Sequence, residues 1–304
     1  MRILVTGGAG FIGSHLCESL VGKHEVVCID NLITGKKENI DGFNVEFVKH
    51  DIRKPFDIRC DLALNMASPA SPVDYQLYPL ETLEVNSLGM RNVLENARKH
   101  GARVVHASTS ETYGDPLEHP QRENYFGNVN ALGPRSCYDE SKRFAETMCY
   151  VYNKKFGVEA ILVRIFNTYG ERMRLNDGRV VPNFITQALK GEPLTVYGDG
   201  TQTRSLCYVG DLVSGIEKLA FSTIKFDVFN LGNPHEVTVN EIAKTVSELC
   251  GSKSKLAYAP LPQDDPKKRR PDISKVRKAV GWEPKVEMQE GLTRTVAWFR
   301  KGME

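Results

Sequence analysis

Tyr138 and Lys142 form a YxxxK pair, which a helix would stack one turn apart on a shared face. A phenol near its ordinary pKa of about 10 is a poor base at neutral pH. A neighbouring ammonium favours the phenolate, so the pair can remove a hydroxyl proton while hydride leaves the same carbon. Ser108, Thr109, Ser110 and Glu111 follow an apolar run. Thr109 can hydrogen-bond an oxidised oxygen, and Glu111 offers a carboxylate for ordering or acid–base work. Nearer the start, Thr6 to Gly13 reads TGGAGFIG. Gly7 permits a tight turn, Gly10 lets the backbone approach a pyrophosphate, and Gly13 lets the following helix lie close to the sheet. That helix would point free N–H groups at phosphate. Asp30 lies about 20 residues further on, where a carboxylate can hold a ribose 2′-OH and repel a 2′-phosphate. The expected cofactor is therefore NAD rather than NADP. Asp51 is placed either to reach the adenine or to cap a turn.

These groups need elements that bring them to one edge. Apolar runs at Arg2–Thr6, Glu25–Asp30, Val45–Val48, Asp61–Asn65, Arg103–Ala107 and Val158–Arg164 read as strands buried on both faces. Helical patterns lie between them at Phe11–Val21, Leu80–His100 and Tyr138–Phe156. The alternation predicts an α/β fold with a doubly wound, Rossmann-type parallel sheet. The second half is broken by Gly and Pro, with helical patterns at Val180–Lys190, Val209–Ala220, Val239–Leu249, Ile273–Val280 and Met288–Lys301. It predicts a smaller C-terminal substrate-binding lobe, with a ligand cleft between the two parts.

Bulk composition narrows the function classes. A formal net charge of +2 gives no reason to expect nucleic acid as the ligand. The seven cysteines show no CxxC pair and no metal-ligand spacing, which predicts reduced thiols, no metal and an intracellular setting. No apolar stretch approaches the roughly 20 residues of a membrane span. The cluster Lys267, Lys268, Arg269 and Arg270 is either a solvated loop or a site for a small anionic substrate.

TGGAGFIG, NMAS, STSETYGDP, YDESK and RIFNTYG occur in an order that resembles the extended short-chain dehydrogenase/reductase family over essentially the whole chain. Within that family, Ser68–Tyr75, Asn176–Ile185, Leu194–Leu212 and Gln263–Ile273 are similar to the UDP-glucuronic acid decarboxylase branch. The resemblance implies NAD-dependent oxidation at carbon 4 of the sugar, with Tyr138 as base. Lys142 would lower its pKa and hold the nicotinamide ribose, and Thr109 would position the hydroxyl. The ketone so formed is β to the carboxylate, so loss of CO2 leaves an enolate, and UDP-xylose follows. Ser110 and Glu111 fall on the family's active-site pair. Dehydratases carry an acid where Ser110 stands, so this residue argues against elimination of water.

By the same resemblance Phe11, Ile12, Asn31, Ile52, Ala67, Ser68 and Asn86 join the cofactor site, and Tyr75, Asn167, Arg179, Val181, Val196, Tyr197 and Arg204 line the UDP-sugar. Arg269 would sit near the substrate carboxylate, with Arg270 as the neighbouring alternative. The NAD-binding domain would span 1–166 with 201–232 returning to it, and the nucleotide-sugar lobe 167–200 and 233–304. The chain departs from the residues usual in the family at Asn65, Met66 and Thr112, none of them on the proposed proton path. A homodimer through helices 80–100 and 138–156 is expected, as is a cytoplasmic location without a membrane anchor. A nucleotide-sugar 4-epimerase, a 4,6-dehydratase, a decarboxylase that releases the 4-keto pentose and a non-catalytic NAD-sensing regulator remain open alternatives.

Overall fold

The computed structural model describes residues 1–261 and 268–303. The first half runs β1 (Arg2–Thr6), α1 (Phe11–Leu20), β2 (Glu25–Asp30), β3 (Glu46–Lys49), β4 (Leu62–Asn65), α2 (Pro72–Leu77), α3 (Pro79–Glu84), α4 (Met90–His100), β5 (Arg103–Thr109), α5 (Ser136–Phe156) and β6 (Ala160–Ile165). The second half adds β7 (Thr168–Tyr169), α6 (Val180–Lys190), β8 (Leu194–Tyr197), β9 (Thr203–Ser205), β10 (Cys207–Tyr208), α7 (Val209–Ala220) and β11 (Phe226–Leu231). It ends with β12 (Glu236–Thr238), α8 (Val239–Cys250), β13 (Leu256–Ala259), α9 (Ser274–Val280) and α10 (Met288–Lys301).

Seven strands form one sheet in the order β11-β6-β5-β4-β1-β2-β3, every neighbouring pair parallel. Period-2 alternation divides its side chains between two helical layers. Ile3, Val5, Ile161 and Val163 pack with Leu16 of α1 and Leu212 and Ile216 of α7. Leu4, Ala63, Val104 and Leu162 pack with Val93 and Leu94 of α4 and Ala145 and Cys149 of α5. The strand order reverses between β1 and β4, which opens a crevice beyond their carboxyl ends.

Three elements differ from the sequence expectation. The helix expected over 80–100 is interrupted by a π turn at Val85–Gly89, which turns the Asn86 amide inward to the Ser68 and Ser141 hydroxyls. The proline-rich stretch before it contains α2, because Pro72 occupies the first helical position, where no N–H is required. The seventh strand, β11, was hidden by Asp227 and Lys225, which break the apolar run at the sheet edge.

Beyond the main sheet, β8 pairs with β13, β9 with β12 and β10 with β7. The C-terminal segment is anchored on α7. The buried Trp282 indole donates to the Asp211 carbonyl at 3.0 Å, and the Asp211 carboxylate accepts from the Lys285 and Val286 amides.

Candidate active site

The crevice is built first from glycines. Gly7 has φ of +68°, and a Cβ there would lie 2.7 Å from the Ala67 Cα. A Cβ on Gly13 would lie 2.1 Å from the Gly7 carbonyl oxygen, so the close approach that Gly13 permits is to its own loop. Gly10 is the N-cap of α1, with no side-chain cap and no acidic residue in the first turn. The first N–H groups of the helix therefore face the crevice available to an anion. A cavity opens here, lined by Gly7, Gly10, Asp30, Asn31, Asp51, Ile52, Ala67 and Ser68 among others. Phe11 and Ile12 stand in the first turn of α1 beside it.

Two carboxylates edge this cavity. Asp30 accepts from the Ala9 amide at 3.0 Å and the Leu32 amide at 2.7 Å, while burial pushes its carboxyl upward. Asp51 takes the Arg53 guanidinium and backbone amide and the Asn31 amide. Burial opposes its charge, but the Arg53 bonds win and lower its pKa. Asp51 thus forms the turn cap of its two expected roles, and Arg53, which sequence patterning did not single out, lines the cavity beside it. An open helix N-terminus, a cradle that side chains would fill and a fixed carboxylate at the end of β2 fit a dinucleotide with a free ribose hydroxyl.

The YxxxK pair lies on α5, with Tyr138 7% and Lys142 2% exposed. Lys142 Nζ donates to the Ala107 carbonyl at 2.8 Å and stands 5.8 Å from the Tyr138 ring centroid. Burial lowers Lys142 to about 7. Burial also dominates at Tyr138 and pushes it up to about 12, against the Thr109 hydroxyl and the Arg179 charge, which pull it down. The Lys142 side chain is buried and aimed at a strand carbonyl, and Arg179 is a further cation near the phenol. Tyr75 stacks on Tyr138 with centroids 5.2 Å apart and an interplanar angle of 11°, and its buried hydroxyl has no hydrogen-bond partner among the described residues.

A charged cluster closes the other side. The Arg269 guanidinium reaches Glu111, donates to the Gly114 carbonyl at 2.8 Å and comes within 3.4 Å of Ser110 Oγ. Arg135 Nη2 binds the second Glu111 oxygen at 2.7 Å. Burial would raise Glu111, but Arg269 and Arg135 overcome it and hold the carboxyl at about 2. Paired with both guanidiniums, Glu111 is placed as an ordering carboxylate. Asp139 is buried next to this cluster. Desolvation, and then the Glu111 charge, raise it to about 7. Neither Arg135 nor Asp139 stood out in the sequence, although both flank Tyr138 within three residues and could have been weighed with it.

Arg269 and Arg270 differ in burial and contacts. Arg269 is 3% exposed and enters the site, whereas Arg270 Nη1 lies 3.8 Å from Glu236 at the surface. Lys267 and residues 263–266 of the quoted decarboxylase-like segment lie outside the described residues. Arg179 is held by Asp177 and lies 5.9 Å from the Phe11 ring centroid. Val181 and Val196 belong to the buried core rather than to an open surface, while Tyr197 is exposed. Asn167 accepts the Cys207 amide through its carbonyl, and Arg204 lies on β9. Among the described residues no cluster of potential metal ligands occurs.

Residues 3–232 match the model of the NAD dependent epimerase/dehydratase family. The chain belongs to this family. Among family relatives, UDP-glucuronic acid decarboxylase 1 of Danio rerio is 52% identical, with 100% of this chain and 73% of that protein covered. UDP-glucuronic acid decarboxylase 1 of Arabidopsis thaliana is 50% identical over 99% of this chain and 70% of its own length. The fold also resembles a UDP-glucose 4-epimerase of Thermotoga maritima solved with UDP-glucose, with TM-score 0.92, 30% identity and full coverage of both chains. A UDP-glucuronic acid 4-epimerase of Bacillus cereus, solved with UDP-glucuronic acid and NAD, has TM-score 0.90, 28% identity and 99% coverage of each. The epimerase/dehydratase fold thus extends through both halves of the chain, beyond the residues of the family model.

Proposed function

We propose that the protein is a UDP-glucuronic acid decarboxylase that uses NAD and forms UDP-xylose through a 4-keto sugar. The observation that carries this reading is the Arg269 guanidinium, 3% exposed and set between Ser110 and Glu111. Such a guanidinium can pair with a substrate that brings its own carboxylate. The relatives about 50% identical along the chain support the same choice.

Tyr138 removes the proton of the carbon-4 hydroxyl, and Thr109 holds that oxygen. NAD, when bound, accepts and later returns the hydride and brings a positive ring to the site. Gly7, Gly10 and the first turn of α1 would hold its diphosphate, Asp30 its ribose, and Lys142 its second ribose. Once carbon 4 is a ketone, the carboxylate is β to it, and CO2 departs because the electron pair is received as an enolate, which takes a proton from water at carbon 5 before the hydride and the Tyr138 proton return to the carbonyl. Tyr75 covers the phenol and excludes water from its face. Ser110 supplies no carboxylic acid to expel a hydroxyl, so elimination is not assisted. Arg179, Tyr197 and Arg204 serve the UDP-sugar, with Val181 and Val196 as the packing beneath.

The chain divides in this reading into an NAD-binding part, 1–166 with 201–232, and a nucleotide-sugar part, 167–200 and 233–304. Homodimerisation is supported by apolar side chains left open on the two expected helices, Leu80, Leu83 and Leu88 on one and Phe144, Tyr150 and Val151 on the other. A cytoplasmic location is supported by seven free cysteines and by the lack, among the described residues, of any helix long and apolar enough to cross a membrane. Mass analysis after incubation with UDP-glucuronic acid and NAD tests the function. A product lighter by CO2 is expected, and a product of unchanged mass would identify a 4-epimerase instead.

A further inference from the structure

Arg269 arrives at Glu111 from a remote part of the chain, just after the segment 262–267, and its own contacts do not explain how the backbone beneath it is held. Two buried amides do. Asn230, at the end of β11, is 0% exposed, and its side chain accepts from the Tyr113 hydroxyl at 2.7 Å. Its Nδ2 donates to the Gln121 and Asp272 carbonyls, both at 3.1 Å. Gln121, also 0% exposed, accepts the Arg270 amide on its side-chain oxygen at 2.8 Å. Its backbone N–H donates to the Arg270 carbonyl, and its carbonyl accepts from Asp272.

One side-chain amide therefore ties together two segments that meet at the active site. Through Tyr113, Asn230 holds the turn that carries Ser110 and Glu111. Through Asp272 and Gln121, it holds the strand-like segment that carries Arg269. Buried amides with every position filled are costly to disturb and fix geometry rather than merely adding stability. We propose that Asn230 and Gln121 are positioning residues for Arg269, setting its guanidinium against Glu111 and hence the charge offered to the substrate. This rests on the decarboxylase reading only for what Arg269 then does.

Asn230→Asp keeps the acceptor for Tyr113 and removes both donors, and Gln121→Met removes the acceptor for Arg270. In each, CO2 release from UDP-glucuronic acid should fall by about 10- to 100-fold, as for an active group displaced by about 1 Å, with bound NAD retained. In an Arg269→Lys background the same changes should cost less than about 2-fold, because their effect passes through Arg269. Full multiplicative losses there would overturn the proposal. A readout independent of turnover is the guanidinium proton NMR signal of Arg269, assigned by its absence in Arg269→Lys. It should shift or vanish in Asn230→Asp, and an unchanged signal would also overturn the proposal. If the parent enzyme releases no CO2, the decarboxylase reading fails while the NMR comparison still decides the positioning claim.

Discussion

At the scale of single residues, burial and nearby charge compete, and each wins at a different group. Desolvation drives Tyr138 up to about 12 and Lys142 down to about 7, both towards their neutral forms. Tyr138→Phe should lower kcat by about 10²- to 10⁴-fold, the range for a lost general base, while NAD still binds. Turnover within a few-fold of the parent would remove Tyr138 from the proton path. Lys142 also makes stability depend on pH. Unfolded, it keeps its proton to about 10.4, whereas folded it loses it near 7. Between those values the unfolded chain binds more protons, so stability rises with pH, and the full cost of the buried ammonium is present below 7. Thermal unfolding of the ligand-free protein from pH 6.5 to 9 should show this gain relative to Lys142→Met. Parallel curves for the two proteins would refute it.

At the scale of elements, the glycine loop carries the sharpest constraint. Gly13→Ala would drive a methyl to 2.1 Å from the Gly7 carbonyl, which the short turn cannot relieve. Overpacking of this kind costs about 1–3 kcal/mol, and NAD titration by calorimetry should show binding weakened or lost. Unaltered affinity would mean that the loop does not hold the diphosphate. This loop was legible before any coordinates because backbone sterics dictate glycine at fixed offsets. Strands β1, β2, β4, β5 and β6 were legible for a similar reason, since both their faces are buried. The edge strand β11 was not, because Asp227 interrupts its apolar run and pairs with Lys275 at the surface. Arg135 and Asp139 escaped because their importance comes from distances to Glu111 and Arg269, residues separated from them by dozens of positions. The π turn at Asn86 was equally silent, since one extra residue per turn leaves the apolar periodicity nearly unchanged.

At the scale of the whole molecule, the site draws on both halves of the chain. Arg269 crosses from the C-terminal part to the end of β5, and the apolar faces of the helix pair leave room for a second copy. Phe144→Glu combined with Leu83→Glu should convert a dimer to a monomer by sedimentation velocity. Unchanged mass in the double variant, or a monomeric parent at micromolar concentration, would refute that interface. All of these parts serve one sequence of events on the sugar: oxidation at carbon 4, loss of the carboxyl group, and return of the same hydrogen. UDP-glucuronic acid deuterated at carbon 4 follows that sequence most directly. The expected result is UDP-xylose that retains the deuterium at carbon 4, with one CO2 released per sugar and no accumulation of NADH. Decarboxylated product without the label, or a labelled uronic acid with its carboxyl group intact, would contradict it.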